Sequence, residues 1–162
     1  MHYNTSMLNI YTDGAHSSST NVGGWSYVFT LGGTIYMHSG YELDTTNNRM
    51  ELLAVLNALK HIQSLNTDAI IYTDSAYIAN CFAQNWYVKW RNNGWITSKK
   101  TAVLNKDLWE NILSTYEELN IDHNVKIQKV SGHTGDKLNE LADYHAVQAR
   151  IQGAKENEKQ TT

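Results

Sequence analysis

The sequence predicts an α/β protein built on a five-stranded mixed sheet, three antiparallel strands and then two parallel ones, flanked by helices. Three observations carry this. The tetrapeptide Ile-Tyr-Thr-Asp occurs twice, at residues 10–13 and 71–74, each time closing a β-prone run. Residues 24–41 read as two strands joined at Gly32-Gly33, a hairpin signal. Beyond residue 47, helical periodicity alternates with short apolar runs, as in units that build a parallel sheet.

Residues 7–12 form the first expected strand. Residues 24–30 alternate, with Trp25, Tyr27 and Phe29 on one face, and residues 34–41 return antiparallel to them. Asn47 or Asn48 can cap a long helix reaching about Ser64. Residues 69–73 are a short apolar run between turn signals, the mark of a buried parallel strand. A short helix is expected from Ser75 to about Gln84, then a Trp-rich basic segment at 86–100. Residues 107–119 carry the helical stripe Leu108, Ile112, Leu113 and Tyr116, and residues 125–130 are the fifth strand. Ser-Gly-His-Thr-Gly at 131–135 is a loop, and the last helix spans 137–152. The expected organisation is one domain at residues 1–152 and a polar, disordered tail at 153–162.

No apolar run approaches the ~18 residues of a membrane span, and the polar start of the chain lacks the apolar core of a signal peptide. The lone Cys81 cannot close an internal disulfide and sits in an apolar stretch, as a small buried hydrophobe does. A cytoplasmic monomer with no membrane partner is expected. Net charge is −3, yet residues 86–106 hold Lys89, Arg91, Lys99, Lys100 and Lys106 and no acid. A local basic patch on an acidic body suits a polyanion gripped at one place.

If the two Ile-Tyr-Thr-Asp strands are parallel neighbours, Asp13 and Asp74 end about 4.8 Å apart. Carboxylates so close favour each other's protonation unless a cation sits between them. Glu51 shares its helix angle with Val55, Ala58 and Ile62, so it faces the sheet, where a charge needs compensation. Pairing with Arg49, or escape to solvent at the helix start, would be the ordinary explanation. Asp143 sits beside the stripe of the last helix and, taken singly, reads as a solvated residue. A set of hard oxygen donors without Cys/His spacing points to Mg²⁺ or Mn²⁺ rather than zinc. Three or four carboxylates can hold two such ions ~3.5–4 Å apart for in-line attack on a phosphodiester.

Five motifs then stand in order: Tyr-Thr-Asp-Gly at 11–14, Thr-Thr-Asn-Asn-Arg-Met-Glu-Leu at 45–52, Thr-Asp-Ser at 73–75, Gly-His-Thr-Gly at 132–135, and Asn139-Glu140 with Asp143. In these the chain resembles type 1 ribonuclease H, the bacterial-type enzyme, from about Leu8 to Gln148. The resemblance implies a ribonuclease H-like fold. It also implies cleavage of the RNA strand of RNA–DNA hybrids, leaving 5′-phosphate and 3′-hydroxyl ends. It makes Asp13, Glu51, Asp74 and Asp143 the catalytic acids and the ligands of two Mg²⁺ ions, with Mn²⁺ as a possible substitute. Asp13 would bridge both ions, Asp143 would help hold the one that activates water, and Glu51 and Asp74 the other. His133 matches a mobile histidine that assists proton transfer or product departure.

The resemblance further implies substrate contacts at Asn47 and Asn48 (minor groove and 2′-hydroxyls), Thr46 (a DNA phosphate), and Trp86, Trp90, Trp95, Lys99, Lys100 and Asn105 (a basic protrusion). The ordinary reading of the tryptophans is core packing, expected for Trp109 and one or two others. The chain departs from the family pattern at Ser19, Asp44 and Ala76, which bears on hybrid affinity and not on the acids. Two other readings are a nuclease or transposase of the same fold, such as a junction resolvase, and a module that binds hybrids without cutting them. Presence of all four acids disfavours the second.

Overall fold

The computed structural model describes residues 7–130 and 137–161. The elements are β1 (Leu8–Ser17), β2 (Val22–Leu31), β3 (Thr34–Leu43), α1 (Asn47–Leu65), β4 (Ala69–Thr73), α2 (Ala76–Ala83), α3 (Trp86–Asn92), α4 (Lys106–Asp122), β5 (Val125–Lys129) and α5 (Lys137–Thr161). They build one five-stranded sheet in the order β3-β2-β1-β4-β5. β2 pairs antiparallel with β1 and β3, whereas β4 pairs parallel with β1 and β5. This is the mixed sheet expected from the sequence. Gly32 and Gly33 turn the β2–β3 hairpin at φ of +60° and +81°, a conformation glycine adopts without penalty.

The repeated tetrapeptide lies side by side with itself. Ile10 stands opposite Ile71 and Tyr11 opposite Tyr72, and the two tyrosine rings stack with centroids 4.8 Å apart. The Thr12 hydroxyl donates to the Tyr72 carbonyl at 2.8 Å, which ties the strands where the two aspartates emerge.

Strand alternation divides the sheet between two helical layers. On one side Tyr27, Phe29, Ile10 and Ile71 pack with Leu52, Val55, Leu59 and Ile62 of α1, all buried in one core. On the other side α5 rides on β2. A Cβ on Gly24 would sit inside the Ala146 carbonyl oxygen and 2.6 Å from the Arg150 nitrogen, so the backbones touch. Buried Ala142, Ala146 and Ala149 permit that approach.

Most boundaries shift by one to three residues, and three differences have a clear physical cause. β1 runs on to Ser17 because its end still pairs with β2. Thr46, not Asn47 or Asn48, caps α1, its hydroxyl accepting from the Arg49 N–H at 3.1 Å. α5 continues past Gln152 to Thr161. Gly153 does not stop it: this glycine is buried where Tyr41 and Val22 leave no room for a side chain. The next turn is held by a 2.7 Å bond from Gln152 to Glu156. Among the described residues, no helix is long and apolar enough to cross a membrane.

Candidate active site

The acids gather at the carboxyl ends of β1 and β4, where ligands of open α/β sheets bind. Asp13 follows the Thr12–Tyr72 bond, and Asp74 follows the last residue of β4. Glu51 comes from the start of the second turn of α1. Its approach depends on Gly14, where a Cβ would lie 2.6 Å from the Glu51 amide nitrogen. Asp13 and Glu51 are each only 5% exposed, and their carboxyl groups are hydrogen-bonded to each other. The Gly14 N–H also donates to Asp13 Oδ1 at 2.8 Å. Asp74 and Asp143 are exposed at the rim. Both oppose the ionisation of Asp13 through their charge, and Asp74 opposes that of Glu51 as well.

Burial is the main cause that pushes Asp13 up to about 7, partly countered by the bonds from Glu51 and Gly14. Burial also leads for Glu51, raised to about 9, with the Asp13 charge and hydrogen bond adding to it. Both carboxyl groups are thus held above the usual carboxylate range, each by burial first and then by the charge of its neighbours. Glu51 Oε2 is buried with no hydrogen-bond partner among the described residues.

No three His, Cys, Asp or Glu side chains close into a ligand shell among the described residues. The donor set nevertheless fits a divalent cation. It is all oxygen, it holds a buried acceptor with no partner among the described residues, and burial and like charge oppose the ionisation of the inner pair, which a cation would relieve.

The first turn of α1 presents Asn47, exposed, and Asn48, half-buried. The Thr46 hydroxyl beside them is engaged as the cap. Arg49, given only a local pairing role by the sequence, joins three elements. It donates to Glu42 of β3 at 3.2 Å, to Asp107 of α4 at 2.9 and 3.2 Å, and to Asn105 at 3.4 Å. Its place inside the 45–52 string was the available signal. Asn105 thus packs against α1 rather than standing free on the basic segment.

That segment borders a cleft of about 750 Å³ lined by Tyr77, Trp86, Lys89, Trp90, Thr97 and Lys99, among others. Trp86 and Trp95 are half-buried, and Lys99 and Lys100 are exposed. Trp90 corrects the expectation of a stacking surface. It is 6% exposed and lies edge-on to the fully buried Trp109, with centroids 5.4 Å apart, so it anchors the segment to the core. The Lys106 ammonium sits 5.8 Å from the centre of the Trp95 ring. Trp95, Lys100 and Asn105 all have φ between +62° and +65°, which asparagine tolerates and which is a strained choice for Trp95 and Lys100. A second cleft, of about 520 Å³ near Met7, Leu31 and Leu65, lies at the opposite end of the sheet and touches none of these groups. His133 lies outside the described residues.

This fold and its acid cluster define an α/β protein whose candidate chemistry rests on carboxylates. The family profile described as RNase H matches residues 5–151. The chain belongs to the ribonuclease H family, in its type 1 form, and is a nuclease of that family. It is 46% identical to "Ribonuclease H" of Caldicellulosiruptor saccharolyticus over 134 residues, 83% of this chain and 89% of that one. Among solved structures it resembles the RNase H domain of PFV, with a TM-score of 0.71 and 25% identity over 89% of this chain and 94% of that one. It also resembles a foamy viral protease-reverse transcriptase in complex with RNA/DNA hybrid, with a TM-score of 0.73 and 28% identity over 90% of this chain and 20% of that one.

Proposed function

We propose that this protein hydrolyses the RNA strand of RNA–DNA hybrids with the help of two divalent ions, Mg²⁺ or in its place Mn²⁺, leaving 5′-phosphate and 3′-hydroxyl ends. It acts as a cytoplasmic monomer. The observation that carries the reading is the buried Asp13–Glu51 pair, with the charges of Asp74 and Asp143 acting on it from the rim. The hybrid bound by the foamy viral relative supports the substrate.

Asp13 would be shared between the ions, Glu51 and Asp74 would complete one site, and Asp143 would serve the other. When bound, the ions supply charge stabilisation for in-line displacement at phosphorus. The protein's own part is to hold four carboxylates at fixed positions, with Gly14 and the Thr12–Tyr72 bond setting the inner pair. Asn47 and Asn48 face the RNA 2′-hydroxyls, the group that tells RNA from DNA. Thr46 lies against a DNA-strand phosphate. Trp86, Trp95, Lys99 and Lys100 grip the partner strand. His133 assists proton transfer or product departure.

Labelled RNA–DNA hybrid, double-stranded RNA and double-stranded DNA, each with and without Mg²⁺, test this directly. Only the hybrid should be cut, and only with metal. Hybrid binding without cutting in either Mg²⁺ or Mn²⁺ would make the protein a binding module instead. A second expectation concerns Lys99 and Lys100. Replacing both with alanine should raise KM, leave kcat nearly unchanged, and reduce the slope of log affinity against log salt by roughly one per lost phosphate contact. An unchanged KM would remove the basic segment from the substrate path.

A further inference from the structure

We propose that Ser26 is a positioning residue for the acid site. Its buried hydroxyl, donating to the main-chain carbonyl of Ala142, sets where α5 presents Asp143 relative to Asp13. The inference rests on the role given to Asp143 in the preceding section.

Ser26 lies directly across the β1–β2 ladder from Asp13. Ala142 immediately precedes Asp143 on α5. One hydrogen bond thus links the strand position beside one acid to the helix position beside another, between residues 116 apart in sequence. The hydroxyl is out of place on packing grounds alone. Ser26 is 0% exposed, its same-face neighbours Val22, Gly24 and Val28 on β2 are buried, and the buried residues of α5 include Ala142, Ala146 and Ala149. Alanine would fill that place without desolvating a hydroxyl, which is costly unless the group is bonded.

Nor does Ala142 require the contact. Its carbonyl lies inside α5, where the helix supplies a partner four residues on. The bond instead adds what apolar packing lacks, a fixed register. The Gly24–Ala146 contact sets how closely α5 approaches the sheet. With the contact of Gly153 against Tyr41 and Val22 it holds the later turns of α5, leaving small shifts of the turn that carries Asp143. A directional bond at Ser26 removes that freedom one residue away from Asp143.

The test compares wild type, Ser26→Ala, Asp143→Asn and the double variant, with Val28→Ala as a packing control. Two readouts are needed: kcat and KM on hybrid in Mg²⁺, and Mn²⁺ affinity by calorimetry without substrate. Ser26→Ala should lower kcat roughly tenfold at unchanged KM and weaken Mn²⁺ binding several-fold. In the Asp143→Asn background it should change neither, because it acts through Asp143. Val28→Ala should lower the Tm and leave Mn²⁺ affinity alone. Independent, multiplying effects of Ser26→Ala and Asp143→Asn would overturn the inference. So would a Ser26→Ala protein with wild-type kcat and Mn²⁺ affinity, or wild-type Mn²⁺ affinity no better than that of Asp143→Asn. If wild type fails to cut hybrid at all, the proposed function falls, and the Mn²⁺ arm still decides the role of Ser26.

Discussion

Replacing Asp13 with asparagine should reduce hybrid cleavage by about a thousandfold or more and yet stabilise the metal-free protein at pH 8. Both effects have one source. Asp13 and Glu51 are buried against each other and both bind protons more tightly than ordinary carboxyl groups. Groups raised in this way contribute full stability below the usual carboxylate range near ~4. That contribution is lost as pH rises through about 7 for Asp13 and on toward about 9 for Glu51. Wild type without metal should therefore be less stable at pH 8 than at pH 5.

The asparagine removes one of the opposed charges. At pH 8 the variant should gain on the order of 2 kcal/mol, read as a Tm higher by roughly 5 °C. At pH 5 the gap should be smaller, because only the part of the contribution between ~4 and 5 has yet been lost. Saturating Mg²⁺ should close the gap at pH 8 by stabilising wild type, since a ligand that binds only the folded state adds stability by mass action. Calorimetric melts at both pH values, with and without Mg²⁺, check each part. An asparagine variant no more stable than wild type at pH 8 would mean that the pair carries no repulsion.

Gly24→Ala should cost about 3 kcal/mol and lower the Tm by roughly 10 °C. The added methyl group would meet the Ala146 carbonyl oxygen and the Arg150 nitrogen, backbone atoms of a packed helix that cannot rotate aside as a side chain can. The clash lifts α5 from the sheet, so the fraction that still folds should also lose turnover through Asp143. Gly32→Asn supplies the contrast. Gly32 sits at φ +60° in the hairpin turn with open space around it, and asparagine tolerates that conformation. Its Tm should stay near wild type. Equal losses at the two positions would show that backbone freedom, not helix contact, governs both.

The parallel pairing of β1 with β4 was legible because an identical tetrapeptide closed both strands, with apolar residues suited to burial. Glu51 was legible for a related reason. Its angular companions Val55, Ala58 and Ile62 are all fully buried, so a face-sharing acid had to point inward. Asp143 differs. Nothing in the pattern around Asp143 separates it from any solvated aspartate, and only its company marks it.

The extension of α5 was hidden by Gly153. A glycine followed by polar residues reads as a helix stop, whereas here it is a close-packing site against Tyr41 and Val22, a fact of tertiary structure. Thr46 was passed over for a comparable reason. Residues 45–48 are all good caps, and the way the chain enters from β3 decides among them. Trp90 shows the limit of composition. A tryptophan in a basic segment looks the same in sequence whether its ring faces a ligand or the core.

Cys81, the single cysteine of the chain, is fully buried in α2, and burial pushes its thiol up to about 12. Thiolate is the reactive form, so the native protein should be inert to alkylating reagents at neutral pH. Modification must then await opening of the α2 region. The natural sequence thereby contains its own clock for unfolding: the rate of irreversible labelling, followed by mass with and without Mg²⁺, times how often the molecule comes apart, with no engineered probe required.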